Sequence, residues 1–205
     1  MAALDGFSFN PESHEYLFEG RPIPSCTGIL QDAGLVSFEH VAEDLLEWKS
    51  DLGREVHKAR HLHDEGRLLS YDPQIGNYLI AWTAFRSESG FIPELSEHWQ
   101  GAEINAMRYG MKLDVCGKLK GISTILDVKT GEIYPHHSIQ LAGYAAGLAH
   151  AIYSTPLSRF YARKRAIVQL RSDGSYRLKY LEDRRDFEVF VSALHIASWK
   201  KERNL

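Results

Sequence analysis

The sequence predicts an α/β domain whose central elements run helix, three strands, helix, strand. Three observations carry that reading. Apolar residues recur at helical spacing before residue 90, the pattern changes to strands from Glu94, and an Ala/Gly-rich helical stretch (SIQLAGYAAGLAHAIY) separates the third strand from a fourth.

At the N-terminus, FSFNPESHEYLFEGRPIPS alternates aromatic and polar residues around Asn10-Pro11 and Glu19-Gly20 turns, which predicts a small hairpin. Residues 38–65 read as helix: Val41, Leu45, Leu46 and Trp48, then Leu52, Val56, Ala59 and Leu62, keep helical spacing, with Asp51 a candidate cap and Gly66 the stop. A further helix follows Asp72-Pro73, where proline suits the first helical position, and runs to Gly90. Strands are expected at 94–100, 103–116 and 122–129, each edged by glycine or a polar turn. The Ala/Gly-rich helix spans 138–153, and its small residues let it lie close against a sheet. A strand pair over 158–180 turns on Asp173-Gly174. The last helix, 183–201, sets Phe187, Phe190, Val191, Leu194 and Ala197 at core spacing.

With 205 residues, 44% hydrophobic and 25% charged, and no repeat or linker to divide it, the chain is expected to form one domain over 1–205. No run approaches the roughly 20 apolar residues of a membrane span, and the start lacks a basic-then-apolar leader. A soluble, cytoplasmic protein with no membrane partner is expected. Cys26 and Cys116 form no Cys-x-x-Cys pair, which argues against a zinc ribbon or a disulfide framework, and two cysteines are too few for a four-cysteine iron–sulfur cluster. Both are expected to be buried, reduced thiols.

A net charge of −3 is not the usual basic footprint of a nucleic-acid-binding domain. Charge is uneven, however. Residues 158–171 gather Arg159, Arg163, Lys164, Arg165 and Arg171 without an acidic residue, either as a solvated strand face or as a strip that tracks phosphates.

The chemistry concentrates in GMKLDVCGKLKGISTILDVKTG, residues 110–131. In Ile125-Leu126-Asp127-Val128-Lys129 the period of two places Asp127 and Lys129 on one face and Leu126 and Val128 on the other. A carboxylate and an ammonium ending a largely apolar strand ask for an explanation, because charges are rarely buried unless paired. Taken alone, Asp-x-Lys is most often a strand-end ion pair worth about 0–1 kcal/mol. Asp114, thirteen residues earlier, offers a second carboxylate, and the two could hold Mg²⁺ or Mn²⁺ through oxygen. Gln140 and Tyr144 share a helix face.

Asp114, Asp127-Val128-Lys129 with Thr130-Gly131, and Gln140-x-x-x-Tyr144 resemble the successive motifs of the RecB-like branch of the PD-(D/E)XK nucleases. Gly53-x-x-x-His57 resembles that branch's helix motif, and Pro24-Ser25-Cys26-Thr27-Gly28-Ile29-Leu30 an N-terminal signature of its phage members. The ordered set covers residues 22–144, and the order is more specific than any single motif. The resemblance implies a restriction-endonuclease-like fold, an αβββαβ core with a central mixed sheet flanked by helices, here with an N-terminal hairpin and a C-terminal helix added.

It further implies a metal-dependent deoxyribonuclease, an exonuclease of phage or bacterial DNA recombination and processing, acting on DNA with two cations per site. The alternatives are a structure-dependent endonuclease and a non-catalytic DNA-binding subunit. A single-strand annealing protein or a recombinase would be the protein partner, and the oligomeric state stays open. His57, Asp114, Asp127 and the Val128 carbonyl would bind the first metal. Asp114 and Glu97 would help with a second, and Lys129 would position the attacking water. Glu94 and Glu103 compete with Glu97, and His61 and His63 with His57. DNA would be met by Gln140 and Tyr144, and, if the basic strip tracks phosphates, by Arg163 and Lys164. A His-x-x-x-His zinc-protease site is disfavoured because Lys58, not glutamate, follows His57. One departure from the family pattern is Met111, which stands where relatives carry glycine; Gly110 lies one residue earlier, and a bulge could absorb the shift.

Overall fold

The computed structural model describes residues 4–37, 43–153 and 163–204. In chain order it contains β1 (Phe7–Asn10), β2 (Glu15–Phe18), β3 (Arg21–Ile23), α1 (Cys26–Asp32), α2 (Glu43–Asp64), a 3₁₀ turn (Pro73–Ile75) and α3 (Gly76–Ser89). There follow β4 (Ile92–Ile104), β5 (Met107–Leu119), β6 (Ile122–Lys129), α4 (His136–Tyr153), β7 (Lys164–Leu170), β8 (Tyr176–Tyr180) and α5 (Arg185–Glu202). The last five strands form a mixed sheet in the order β4-β5-β6-β7-β8. Only β6 and β7 pair in parallel, and α4 makes the crossover between them. This is the predicted α/β architecture with its helix, three strands, helix, strand core.

Helices cover both faces. On one side Leu113 and Ile125 pack with Ile29 and Leu30 of α1, Ala145 of α4 and Phe190 of α5. On the other, Val115, Leu126 and Val128 pack with Val56 of α2 and with Trp82 and Phe85 of α3. Both cysteines are buried thiols. Among the described residues, no helix is long and apolar enough to cross a membrane.

Several expected boundaries move. The N-terminal hairpin is a three-stranded antiparallel meander, because both anticipated turns are used. The Pro24–Leu30 segment forms α1, whose Ser25 cap accepts a hydrogen bond from Gly28 N–H at 2.9 Å. Asp51 is interior to α2 and pairs with Arg54 instead of capping. Trp48 is exposed, whereas Val56 and Ala59 are buried as predicted. Gly66, at φ +68°, does end the helix: Gly66 N–H reaches His63 O at 3.0 Å and Arg67 N–H reaches Leu62 O at 2.8 Å. Val41, at the start of the predicted 38–65 helix, and residues 158–162 of the predicted strand pair lie outside the described residues.

The expected break between strands at Gly101 is absent. β4 runs through it to Ile104, and the turn is made by Asn105 and Ala106, at φ +51° and +63°. Gly101 is small for another reason: a Cβ there would lie 2.5 Å from the Phe7 ring, and one on its partner Gly110 would lie 2.1 Å from Tyr16. These glycines seat the N-terminal meander on the main sheet. No bulge stands at Met111, since pairing is regular from Met107 to Leu113; the register shift falls between Pro93 and Leu95.

In α4 a Cβ on Gly147 would come within 2.8 Å of Met111 on the sheet, and one on Gly143 within 2.6 Å of Phe190 and 2.8 Å of Cys26. Alanine would raise helix propensity by about 1 kcal/mol. Overpacking against buried neighbours costs about 1–3 kcal/mol. Gly143→Ala is therefore expected to lower the denaturation midpoint; a higher midpoint would show that Phe190 and Cys26 yield.

Candidate active site

The site is prepared by an irregularity in the β4–β5 pair. Leu113 belongs to one core and Val115 to the other, although residues two apart in a regular strand share a face. The strand changes face at Asp114. Opposite it, bracketed by the Ser96–Val115 and His98–Leu113 pairs, Glu97 has the left-handed φ of +48°. On the other side of β5, registered pairing with β6 begins at Val115–Leu126, so Asp114 and Asp127 stand just past the end of that ladder. Asp114 Oδ2 there accepts the Val128 N–H at 2.7 Å.

Helix α2 supplies the remaining donor. Gly53, one turn before His57, faces Thr130 at the end of β6. His57 Nδ1 lies 3.4 Å from Asp114 Oδ1 and 3.5 Å from Glu97 Oε1, and Nε2 lies 3.0 Å from Val128 O. Since a carbonyl only accepts, Nε2 carries a proton. A neutral ring would then aim the Nδ1 lone pair at two carboxylate oxygens, an arrangement that calls for a proton or a metal cation between them. His57, Glu97 and Asp114 each place one donor atom within 4.8 Å of the others, and this nitrogen-and-carboxylate set suits a divalent ion.

Asp127 stands beside this group, clasped by Lys129, whose Nζ lies 2.9 Å from Oδ1 and 2.8 Å from Oδ2. The second contact lacks hydrogen-bond geometry, so Asp127 Oδ2 is buried without a hydrogen bond. Such an orphaned oxygen suits a ligand to a cation.

Electrostatics follow the packing. Burial raises the Asp127 carboxyl, and nearby Asp114 adds to this against the pull of Lys129, leaving it at about 6. For Glu97 burial also acts upward, but His57, Lys112 and Arg60 outweigh it and hold the carboxyl at about 2. His57 and Lys129 are each lowered by burial but raised further by the carboxylates they face, so both shift upward overall.

Of the competing residues, Glu94 pairs with Lys118 and Glu103 with Arg108. His61 faces Glu65, and His63 lies beside Asp64. The structure thus brings together His57, Glu97 and Asp114. The Val128 carbonyl, expected as a ligand, accepts from His57 Nε2, which orients the ring. Gln140 Nε2 donates to Tyr144 Oη at 2.8 Å and to Thr27 Oγ1 at 3.0 Å, binding α4 to α1.

The basic segment does not form one surface. Arg165 is buried and pairs with Asp186, and Lys164 lies near Glu182. Arg163 adjoins Lys164 at the start of β7, and Arg159 lies outside the described residues. Lys164 is registered with Thr124, five residues before Lys129, which puts it about 16 Å along the sheet from the site.

Two residues unremarked in the sequence complete the arrangement. Arg60 is fully buried, donates to Glu97 Oε1 at 2.6 Å and to Asp114 O at 3.1 Å, and lies over the Trp82 ring at 5.0 Å. Lys112 Nζ lies 2.6 Å from Glu97 Oε2. Arg60 continues inward to Asp64, which also receives Trp82 and Arg86. The signal for Arg60 was its place on α2, four residues after the core Val56 and three after His57.

No family profile and no curated protein matches the chain. Among solved structures, it is similar to a protein of Eubacterium rectale provisionally described as an exonuclease, at TM-score 0.46 and 12% identity over 86% of this chain and 71% of that one. It is also similar to LHK-Exo, an alkaline exonuclease from Laribacter hongkongensis solved with dAMP, at TM-score 0.37 and 13% identity over 89% and 93%. A third, SSO0001, aligns at TM-score 0.35 and 15% identity over 83% and 81%.

Proposed function

We propose that the chain is a metal-dependent deoxyribonuclease of the PD-(D/E)XK type, hydrolysing phosphodiester bonds with Mg²⁺ or Mn²⁺. The observation that carries this reading is the convergence of His57, Glu97 and Asp114 beside the Asp127–Lys129 pair. His57, Glu97 and Asp114 would hold a cation, Asp127 would join them through its unbonded oxygen, and Asp114 and Asp127 would share a second. Bound cations supply a water of lowered pKa and neutralise charge on the phosphate.

The chain's own groups account for the rest. In hydrolysis a water oxygen bonds to phosphorus, the bond to the leaving sugar oxygen breaks, and the water proton ends on that oxygen. Lys129, kept as an ammonium by the carboxylates around it, donates hydrogen bonds to the attacking water and to the phosphoryl oxygens; it does not take the proton. Asp127 fixes the ammonium's direction. Val128 O and Arg60 hold His57 and Glu97 in place before substrate arrives. We favour an exonuclease of DNA recombination and processing.

The test is a time course on duplex and single-stranded DNA labelled at either end, with Mg²⁺, Mn²⁺ or EDTA. Metal-dependent degradation is expected, and the product ladder gives the polarity. Lys129→Ala should fold and lose about 10²–10³ in rate, the usual effect of removing one such electrostatic contact. Wild-type turnover by that variant would remove Lys129 from the mechanism. A folded wild type inert with every metal would point to a binding subunit.

A further inference from the structure

The loop leaving β6 carries an aromatic step beside the proposed cutting site. Tyr134, five residues beyond Lys129, is 54% exposed. Its ring lies parallel to His136, with centroids 5.7 Å and planes 9° apart. The loop is tied down at two points: Gln169 Nε2 donates to Gly131 O at 2.9 Å, and Tyr134 N–H donates to His137 Nδ1 at 3.1 Å. Buried His137 packs edge-on against both rings. Tyr134 is thus presented to solvent on a fixed backing.

Position links this step to the carboxylates. His136, Gln140 and Tyr144 follow at intervals of four along α4 and share a face. Tyr144 is close enough to Asp127 and Asp114 for their charges to add to the burial that raises its phenol. At the other end, burial and then Lys129 lower both His136 and His137, so the imidazoles are neutral rings at neutral pH. The face therefore leads outward from the site through Tyr144 and Gln140 to His136 and Tyr134. Across the sheet, Asp127, Ile167 and exposed Lys179 are registered neighbours on β6, β7 and β8. Lys179 adds a cation to the same side.

We infer that Tyr134, backed by His136, is a stacking platform for an unpaired nucleobase next to the scissile phosphate, so that substrate passes this point as a single strand. The inference takes its position from the nuclease reading. Every base has a π face, so an exposed ring grips single strands without reading sequence, whereas bases inside a duplex are already stacked on one another.

The experiment measures binding of a short single-stranded DNA carrying one 2-aminopurine, followed by fluorescence with Ca²⁺ in place of Mg²⁺. Tyr134→Ala is expected to weaken binding about 5- to 150-fold, the usual span for losing one base–aromatic stack. Tyr134→Phe should bind as wild type does. An oligonucleotide abasic at the contacted position should bind wild type as weakly as the intact one binds Tyr134→Ala, with no further loss when the two changes are combined. Binding by Tyr134→Ala within twofold of wild type, or additive losses, would overturn the platform. Should wild type cleave while Tyr134→Ala binds normally, the platform fails and the nuclease stands. Should wild type never cleave yet bind through Tyr134, the nuclease fails and the platform stands.

Discussion

Asp114→Asn is expected to cut metal-dependent cleavage by about 10²–10³-fold while leaving the fold intact. The asparagine oxygen can still accept the Val128 N–H that Asp114 Oδ2 receives at 2.7 Å, so the strand end should keep its shape. What disappears is the negative charge that, with Glu97, faces His57 Nδ1. Calorimetry with Mn²⁺ should show binding to the wild type and none to the variant. Asp127→Asn should be equally impaired, because Lys129 would lose the carboxylate that aims it. Retained cleavage in either variant would place the catalytic centre elsewhere.

The largest effect on stability is expected at Arg60→Met. Arg60 is fully buried, and its guanidinium contacts Ser96, Glu97, the Asp114 carbonyl and Asp64. Methionine roughly fills the space but leaves the largely enclosed Glu97 and Asp64 with one fewer cation each. Breaking a buried pair in this way costs about 3–5 kcal/mol, and at about 2–4 °C per kcal/mol for a chain of this size the melting temperature should fall by roughly 6–20 °C. Arg54→Ala on the same helix is the control. Its pair with Asp51 is exposed, and exposed pairs contribute about 0–1 kcal/mol. Equal losses from both variants would mean that the buried network carries no special weight.

Much of this site was legible in the chain because strands leave few choices. Asp127 and Lys129 follow the apolar Ile125-Leu126, so the period of two alone gave them a common face, and the structure finds them in contact. Gln140 and Tyr144 were likewise placed by the helical repeat and are hydrogen-bonded. Glu97 was one of three acidic candidates, and what distinguishes it is a left-handed backbone. No residue pattern announces that in a glutamate. Arg60 was hidden for a different reason: a helical arginine is usually solvent-facing, and only the tertiary approach of β4 converts this one into a buried strut. Gly101 misled for a third reason, since a glycine inside a strand can mark a turn or a close approach, and here Phe7 makes the approach.

That approach also bears on how the chain assembles. Phe7 rests on Gly101 and Tyr16 on Gly110, in each case 94 residues later. Three strands of four, four and three residues are too short to persist in water without a surface to cover. The meander therefore gains its covering surface only once the β4–β5 hairpin, about ninety residues further along, has formed. The meander then docks after β4 and β5 have paired, and the rate at which it does so is set by closure of that long loop.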